Sequence, residues 1–124
     1  MIDIHRFMRS VHYALEGIAY AVVNNQNLRI QLMVAVLVIF ASLFFRVNPF
    51  EMGILGVMIL LVICAEMLNT AIEEMVNFVT LEHKREAKIA KDVAAGMVLI
   101  TALGSIVVGI LIFVPHILVL LGLR

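Results

Sequence analysis

Residues 52–79 read Met-Gly-Ile-Leu-Gly-Val-Met-Ile-Leu-Leu-Val-Ile-Cys-Ala-Glu-Met-Leu-Asn-Thr-Ala-Ile-Glu-Glu-Met-Val-Asn-Phe-Val. The first half, 52–65, carries no charge at all. The second half sets Glu66, Asn69, Thr70, Glu73 and Asn77 at i, i+3, i+4, i+7 and i+11, which is one face of an α-helix. A bilayer crossing takes about 20 apolar residues. A span that enters near Met52 therefore leaves near Ala71, with Glu66 a turn or so inside the hydrocarbon boundary and Glu73 at the interface. A carboxylate at that depth costs a few kcal/mol on insertion scales, so something must offset it. The stretch predicts a membrane helix with a polar face at one end.

Working outward, two more runs are apolar enough to cross, 30–45 and 93–123, the latter with Pro115 near its outer end. With their flanks the expected spans are 28–47, 51–79 and 92–121, preceded by a surface helix over 1–27. The composition agrees: 64% of the 124 residues are hydrophobic and 15% charged, against about 25% charged in soluble domains. This predicts one all-α membrane domain. A net charge of zero gives no footprint for nucleic acid. Cys64 is the single cysteine, so neither a disulfide framework nor a cysteine-based zinc site is expected. The first 25 residues do not look like a cleaved signal peptide, because Asp3, Arg6, Arg9 and Glu16 interrupt them.

In residues 2–22, Ile4, Met8, Val11, Leu15, Ile18 and Val22 recur at helical spacing, while His5, Arg6, Arg9, His12 and Glu16 fall mostly elsewhere around the helix. That pattern predicts an amphipathic helix lying on the membrane; a soluble-facing helix packed on the loops is the plainer alternative. Arg6, Arg9 and Arg29 precede the first span, and Lys84, Arg85, Lys88 and Lys91 lie between the second and third; only Arg46 and Arg124 fall on the other side. Seven against two places the N-terminus and the 80–91 connection in the cytoplasm and the C-terminus outside. The 46–51 connection, with Pro49, predicts a tight turn; 80–91 is charged and partly helical. Thr101, Ser105 and Gly109, four apart, form a packing stripe that would suit contact between subunits. Three thin helices bury little alone, which predicts an oligomer.

Two acids on one helix face can divide labour. Desolvation suits Glu66 to general-base chemistry, and Glu73, nearer water, can hold a divalent cation. Lys91 and Asp92 open the third span at the same depth, where a lysine and a helix N-terminus both favour phosphate. The plainer readings are a solvated helix end for Glu73, Glu74 and Asn77, and a positively charged flank with a helix N-terminal acid for Lys91 and Asp92. On physical grounds the constellation is an interfacial cation site with a candidate base; no glycine-rich phosphate loop accompanies it.

The motif Glu66-Met-Leu-Asn-Thr-Ala-Ile-Glu73, followed by Ala-Lys91-Asp92-Val-Ala-Ala-Gly96, resembles the small bacterial integral-membrane lipid kinases, diacylglycerol kinase and undecaprenol kinase, over nearly the whole chain. Residues 82–96 look more like the Gram-positive, undecaprenol-preferring branch. The resemblance implies Glu66 as the base on the lipid hydroxyl, Asn69 positioning it, and Glu73 as ligand to the magnesium that bridges the phosphates of ATP. It implies nucleotide contacts from Arg6, Tyr13, Lys84, Lys91 and Asp92, a homotrimer with shared active sites, and a bacterial inner membrane. The chain departs from the family twice. Asn25 stands where a second, acidic metal ligand is usual, and Asn77 where an aspartate is usual, so the site loses two negative charges. An amide oxygen can still ligate a hard cation, and Asn25 is the second expected metal residue.

The resulting expectation is ATP-dependent phosphorylation of a membrane lipid alcohol, undecaprenol ahead of diacylglycerol, at the cytoplasmic interface. Phosphoryl transfer needs mostly positioning and charge neutralisation, and only the interface offers both a lipid hydroxyl and a soluble nucleotide. The alternatives are a catalytically degenerate relative that binds lipid or nucleotide, and a small transporter or assembly subunit with Glu66 as its ion site.

Overall fold

Asp3 opens the first helix: its carboxylate accepts from the Arg6 backbone N–H at 3.1 Å, and α1 follows over Ile4–Asn24. Asn25 then leaves helical geometry, with φ −109° and ψ 111°, and caps the next helix, α2, over Gln26–Phe44. Arg29 folds back so that its guanidinium donates to the carbonyls of Val22 and Val23. That sets a cation on the otherwise unpaired end of α1, where the helix dipole favours it. Helix α3, Pro49–Val79, starts on a capping box: Asn48 Oδ1 accepts from Glu51 N at 2.9 Å, and Glu51 Oε2 accepts from Asn48 N at 3.1 Å. Helix α4 runs over Arg85–Leu120. The computed structural model describes residues 3–80, 82 and 84–123. Ile2 of the amphipathic segment, His83 of the branch-like stretch and Arg124 of the charge asymmetry lie outside the described residues.

The architecture is all-α, with no strand among the described residues, and α2, α3 and α4 are each long and apolar enough to cross a membrane. At 1.5 Å per residue the 31 residues of α3 extend about 46 Å, well past a hydrocarbon core of about 30 Å. Glu66, 17 residues beyond Pro49, lies about 26 Å along it, and Glu73 about 36 Å along. The expectation that Lys91 and Asp92 open the last helix is corrected, because α4 begins at Arg85 and they lie in its second turn. The reason is propensity: Arg-Glu-Ala-Lys-Ile-Ala-Lys is made almost wholly of strong helix formers, and nothing requires a helix to stop where the apolar run does.

Helices α3 and α4 form the principal antiparallel seam. Leu55 and Ile112 are buried in it with Val47, and Phe45 at the end of α2 meets Phe113 of α4 with ring centres 6.0 Å apart. Helix α2 runs antiparallel to α3, while α1 is exposed along its length except at Ala21 and Val22, where it meets the other helices. A cavity of about 330 Å³ lies between α2, α3 and α4, lined by Val62 and Phe113 among other apolar side chains, with Gln31 and Ser105 its polar groups. Of the small-residue stripe of α4, Ser105 and Gly109 line this cavity. Large apolar side chains such as Phe40, Leu68, Ile100 and Leu111 cover the outer faces.

Candidate active site

Glu66 is 1% exposed, and its carboxylate is held from α1–α2 rather than by its own helix. Asn25 Nδ2 donates to Oε1 at 2.8 Å and Gln31 Nε2 to Oε2 at 3.3 Å, one amide per carboxylate oxygen. Asn25 Nδ2 also donates to Thr70 Oγ1 at 2.7 Å, and that hydroxyl donates to the Glu66 carbonyl at 3.0 Å. One turn on, Asn69, 6% exposed, donates through Nδ2 to Glu73 Oε1 at 3.1 Å. Asn69 Oδ1 and Gln31 Oε1 are buried acceptors without a partner among the described residues. Unpaired buried acceptors cost stability, so these two oxygens are open to a donor or a cation.

The structure brings Asn25, Glu66, Asn69 and Glu73 together, with the NH₂ group of Asn25 facing Glu66. As N-cap of α2, Asn25 must present its oxygen to Leu28 N, at 3.1 Å, and this leaves the NH₂ group facing Glu66. Flipping the amide would set oxygen against carboxylate and forfeit the cap. Gln31 and Thr70 complete the cluster. Gln31 escaped sequence reasoning because a single polar residue at the start of an apolar run reads as a flank; its signal was its place two residues beyond Arg29.

A second cluster lies where α3 meets α4. Lys91 Nζ donates to Asn77 Oδ1 at 2.7 Å, and Lys88 pairs with Asp92 at 2.7 Å. The hydrogen bond to Asp92 raises the Lys88 ammonium above its ordinary range. A cleft of about 610 Å³ is lined by Lys84, Arg85, Lys88 and Lys91 with Asn77 and the acids Glu82 and Asp92, Glu82 pairing with Lys84 at 3.4 Å, and its excess of cations suits phosphates. Asn77 is 11 residues beyond Glu66, about 16 Å along α3, with Thr70 and Glu73 between them. Arg6 and Tyr13 stand exposed on α1, and among the described residues no hydrogen bond or ion pair joins them to either cluster. Tyr20, which the sequence reading passed over, ties α1 to α3 by donating to Glu74 Oε1 at 2.9 Å; that bond raises the phenol above its ordinary range.

No group of three His, Cys, Asp or Glu side chains converges among the described residues in a way that would cage a metal. The exposed Glu73 carboxylate with the unpaired Asn69 Oδ1 beside it nevertheless offers hard oxygen donors. That set fits magnesium, which keeps several waters and takes few protein ligands when phosphates supply the rest.

The family model for prokaryotic diacylglycerol kinase matches residues 12–113. The chain is 36% identical over 113 residues to a diacylglycerol kinase of Synechocystis sp. (strain ATCC 27184 / PCC 6803 / Kazusa), an alignment covering 90% of this chain and 65% of that protein. It is 34% identical over 113 residues to an undecaprenol kinase of Bacillus subtilis (strain 168), covering 91% of this chain and 92% of the relative. The chain thus spans just under two thirds of the Synechocystis relative and nearly all of the Bacillus one. With the buried Glu66 cluster, the basic cleft and three apolar helices, these matches make it a multi-pass membrane protein that belongs to the prokaryotic diacylglycerol kinase family, a family of lipid kinases.

Proposed function

We propose that the chain transfers the γ-phosphoryl group of ATP to the hydroxyl of a long-chain membrane lipid alcohol, undecaprenol in preference to diacylglycerol. The observation that carries this reading is a buried carboxylate, Glu66, which bonds to Gln31 of an apolar cavity and shares its helix face with Asn77 of a cleft that holds more cations than anions. The lipid chain occupies apolar surface, its hydroxyl reaches Glu66, and the phosphates lie toward Lys84 and Lys91. Glu66 takes the hydroxyl proton, the freed oxygen bonds to the γ-phosphorus, and the bond from that phosphorus to the β–γ bridging oxygen breaks to release ADP. Asn69 holds Glu73, and these two would hold magnesium, which when bound supplies charge neutralisation across the phosphates. Asp92 orients Lys88, and Arg6 and Tyr13 contact the nucleotide from α1.

The lone chain leaves most of its apolar surface uncovered, which supports a homotrimer in which a neighbouring protomer completes the nucleotide site. The Lys and Arg distribution supports a cytoplasmic N-terminus and an outer C-terminus in the bacterial inner membrane, with α1 lying on the cytoplasmic surface. The second reading, a relative that binds lipid or nucleotide without turnover, is favoured by one observation: Asn25 and Asn77 carry no charge and are engaged by Leu28, Glu66, Thr70 and Lys91. A phosphorylation assay in detergent micelles separates the two, with undecaprenol, diacylglycerol and ceramide side by side and ATP and GTP as donors. Magnesium-dependent product from ATP is expected; binding of lipid without product from any pair favours the second reading.

A further inference from the structure

The Glu66 carboxylate is clasped by two neutral amides from outside its own helix, and neither amide belongs to the E-x-x-N-T-A-I-E or A-K-D elements. Asn25 serves Oε1 and Gln31 serves Oε2. The two come from opposite ends of the first turns of α2: Asn25 is its N-cap, and Gln31 lies nearly two turns on, at the mouth of the apolar cavity. The two amides differ in what else holds them. Asn25 is locked by its cap to Leu28 N and its bond to Thr70, so its NH₂ cannot rotate away. Gln31 leaves one buried oxygen unpaired at the cavity, beside the carboxylate it donates to. A carboxylate with one hydrogen bond to each oxygen is fixed in rotation about its terminal torsion, which is otherwise broad. Its remaining lone pairs then have one direction, and a proton-abstracting group works only when aligned with the proton it takes.

We propose that Asn25 and Gln31 are positioning residues of the phosphoryl-transfer reaction: their amide N–H groups hold the two oxygens of Glu66 so that a free lone pair meets the lipid hydroxyl arriving through the cavity. Gln31 has a second part, because its unpaired Oε1 accepts a hydrogen bond from the alcohol as it approaches and delivers the hydroxyl to the carboxylate. Asn25 thus acts through Glu66 and not on the cation. The proposal rests on Glu66 being the base, so its test carries that premise as a separate arm.

The test uses the full chain in micelles with a lipid alcohol, ATP and magnesium, and compares Asn25→Ser, Gln31→Met, Glu66→Gln and the combinations with Glu66→Gln. Serine keeps the N-cap of α2 but is too short to reach Glu66, and methionine keeps the volume and flexibility of Gln31 without its donor. Each single variant is expected to lower kcat about 10-fold, the loss of one charge-assisted hydrogen bond, with the KM for ATP and the half-saturating magnesium unchanged. In the Glu66→Gln background neither change should lower the residual rate further, since residues acting as one unit are not additive. Loss of kcat in Gln31→Met with that non-additivity supports the proposal even if Asn25→Ser folds poorly. If Glu66→Gln abolishes turnover while both single variants keep kcat within twofold, the positioning proposal is overturned and the base reading stands. A rise in half-saturating magnesium at unchanged kcat for Asn25→Ser also overturns it, placing Asn25 at the cation. If Glu66→Gln keeps its rate, the base reading falls and the positioning proposal with it.

Discussion

A carboxylate that is 1% exposed in an apolar helix survives there only because two amides are aimed at it, and this makes its replacement informative. Glu66→Gln keeps the size and one acceptor, so the assembly should remain intact by size-exclusion chromatography while kcat falls about 100- to 10,000-fold, the usual cost of removing a general base. Retention of most of the wild-type rate would take Glu66 out of that role. Glu66 was legible in the sequence because a charge inside an uncharged run contradicts its surroundings. Its clasp was not: Gln31 is 35 residues away in the chain, and nothing local says which group of the Asn25 amide faces which neighbour. Backbone strain shows the same limit. Helix α2 ends in a Schellman motif, with Val47 N donating to Ser42 O and Arg46 N to Leu43 O, and this forces Arg46 to φ +52°. Helix α4 ends in the same pair of bonds with Gly122 at that position, φ +68°. Arg46→Gly should therefore raise thermal stability in micelles, by up to about 1 kcal/mol, with kcat unchanged; a loss of stability would mean that the arginine has a contact at the outer surface worth more than the strain.

At the scale of the helices, ends decide more than interiors. The capping box of Asn48 and Glu51 fixes where α3 begins, and with it the depth of Glu66. Asn48→Ala should cost about 1 kcal/mol in thermal or denaturant unfolding, with a smaller effect on KM than on stability; no change would mean that Pro49 alone sets the start. At the other end of the helix pair, Tyr20 ties α1 to α3 through Glu74. Its phenol is raised above the usual value by that hydrogen bond, so the tether is fully present below the ordinary tyrosine range and is lost as the pH rises through the raised value. Protection of α1 from protease should accordingly fall above about pH 10 in the wild type. In Tyr20→Phe, α1 should be less protected at neutral pH and show no such alkaline step; identical protection of both at pH 8 would mean that Tyr20 does not hold α1. The membrane helices were legible from apolar runs and the N-terminal helix from its period. The start of α4 was not, because charged helix formers continue a helix past the membrane boundary without changing the period.

The whole molecule bears on the question of which lipid it takes, and here the argument is about what the fold fails to read. The cavity between α2, α3 and α4 has Gln31 and Ser105 as its polar groups, and the one proton of the Ser105 hydroxyl is spent, since it donates to Ala102 O at 2.8 Å. Diacylglycerol presents two ester carbonyls next to its hydroxyl, whereas undecaprenol presents a hydroxyl and then hydrocarbon alone. A site built to bind the esters would hold donors near Glu66. The nearby amides are instead mostly spent: both hydrogens of Asn25 go to Glu66 and Thr70, and one of the two on each of Gln31 and Asn69 goes to Glu66 and Glu73. Burying two carbonyls there without partners would disfavour diacylglycerol, because an unpaired buried acceptor costs about 1–3 kcal/mol. The identities to the two named relatives, 36% and 34%, are too close to weigh, so the preference rests on this polarity argument and on the likeness of residues 82–96 to the undecaprenol-preferring branch. Measured in identical micelles, kcat/KM for undecaprenol should exceed that for diacylglycerol about 10-fold or more, since this ratio compares the two transition states directly. A clear preference for diacylglycerol would sink the claim and point to donors supplied by a neighbouring protomer. Near-equal ratios would mean that the esters stay in the headgroup region and never enter the site, leaving the choice of lipid to whichever alcohol the membrane holds.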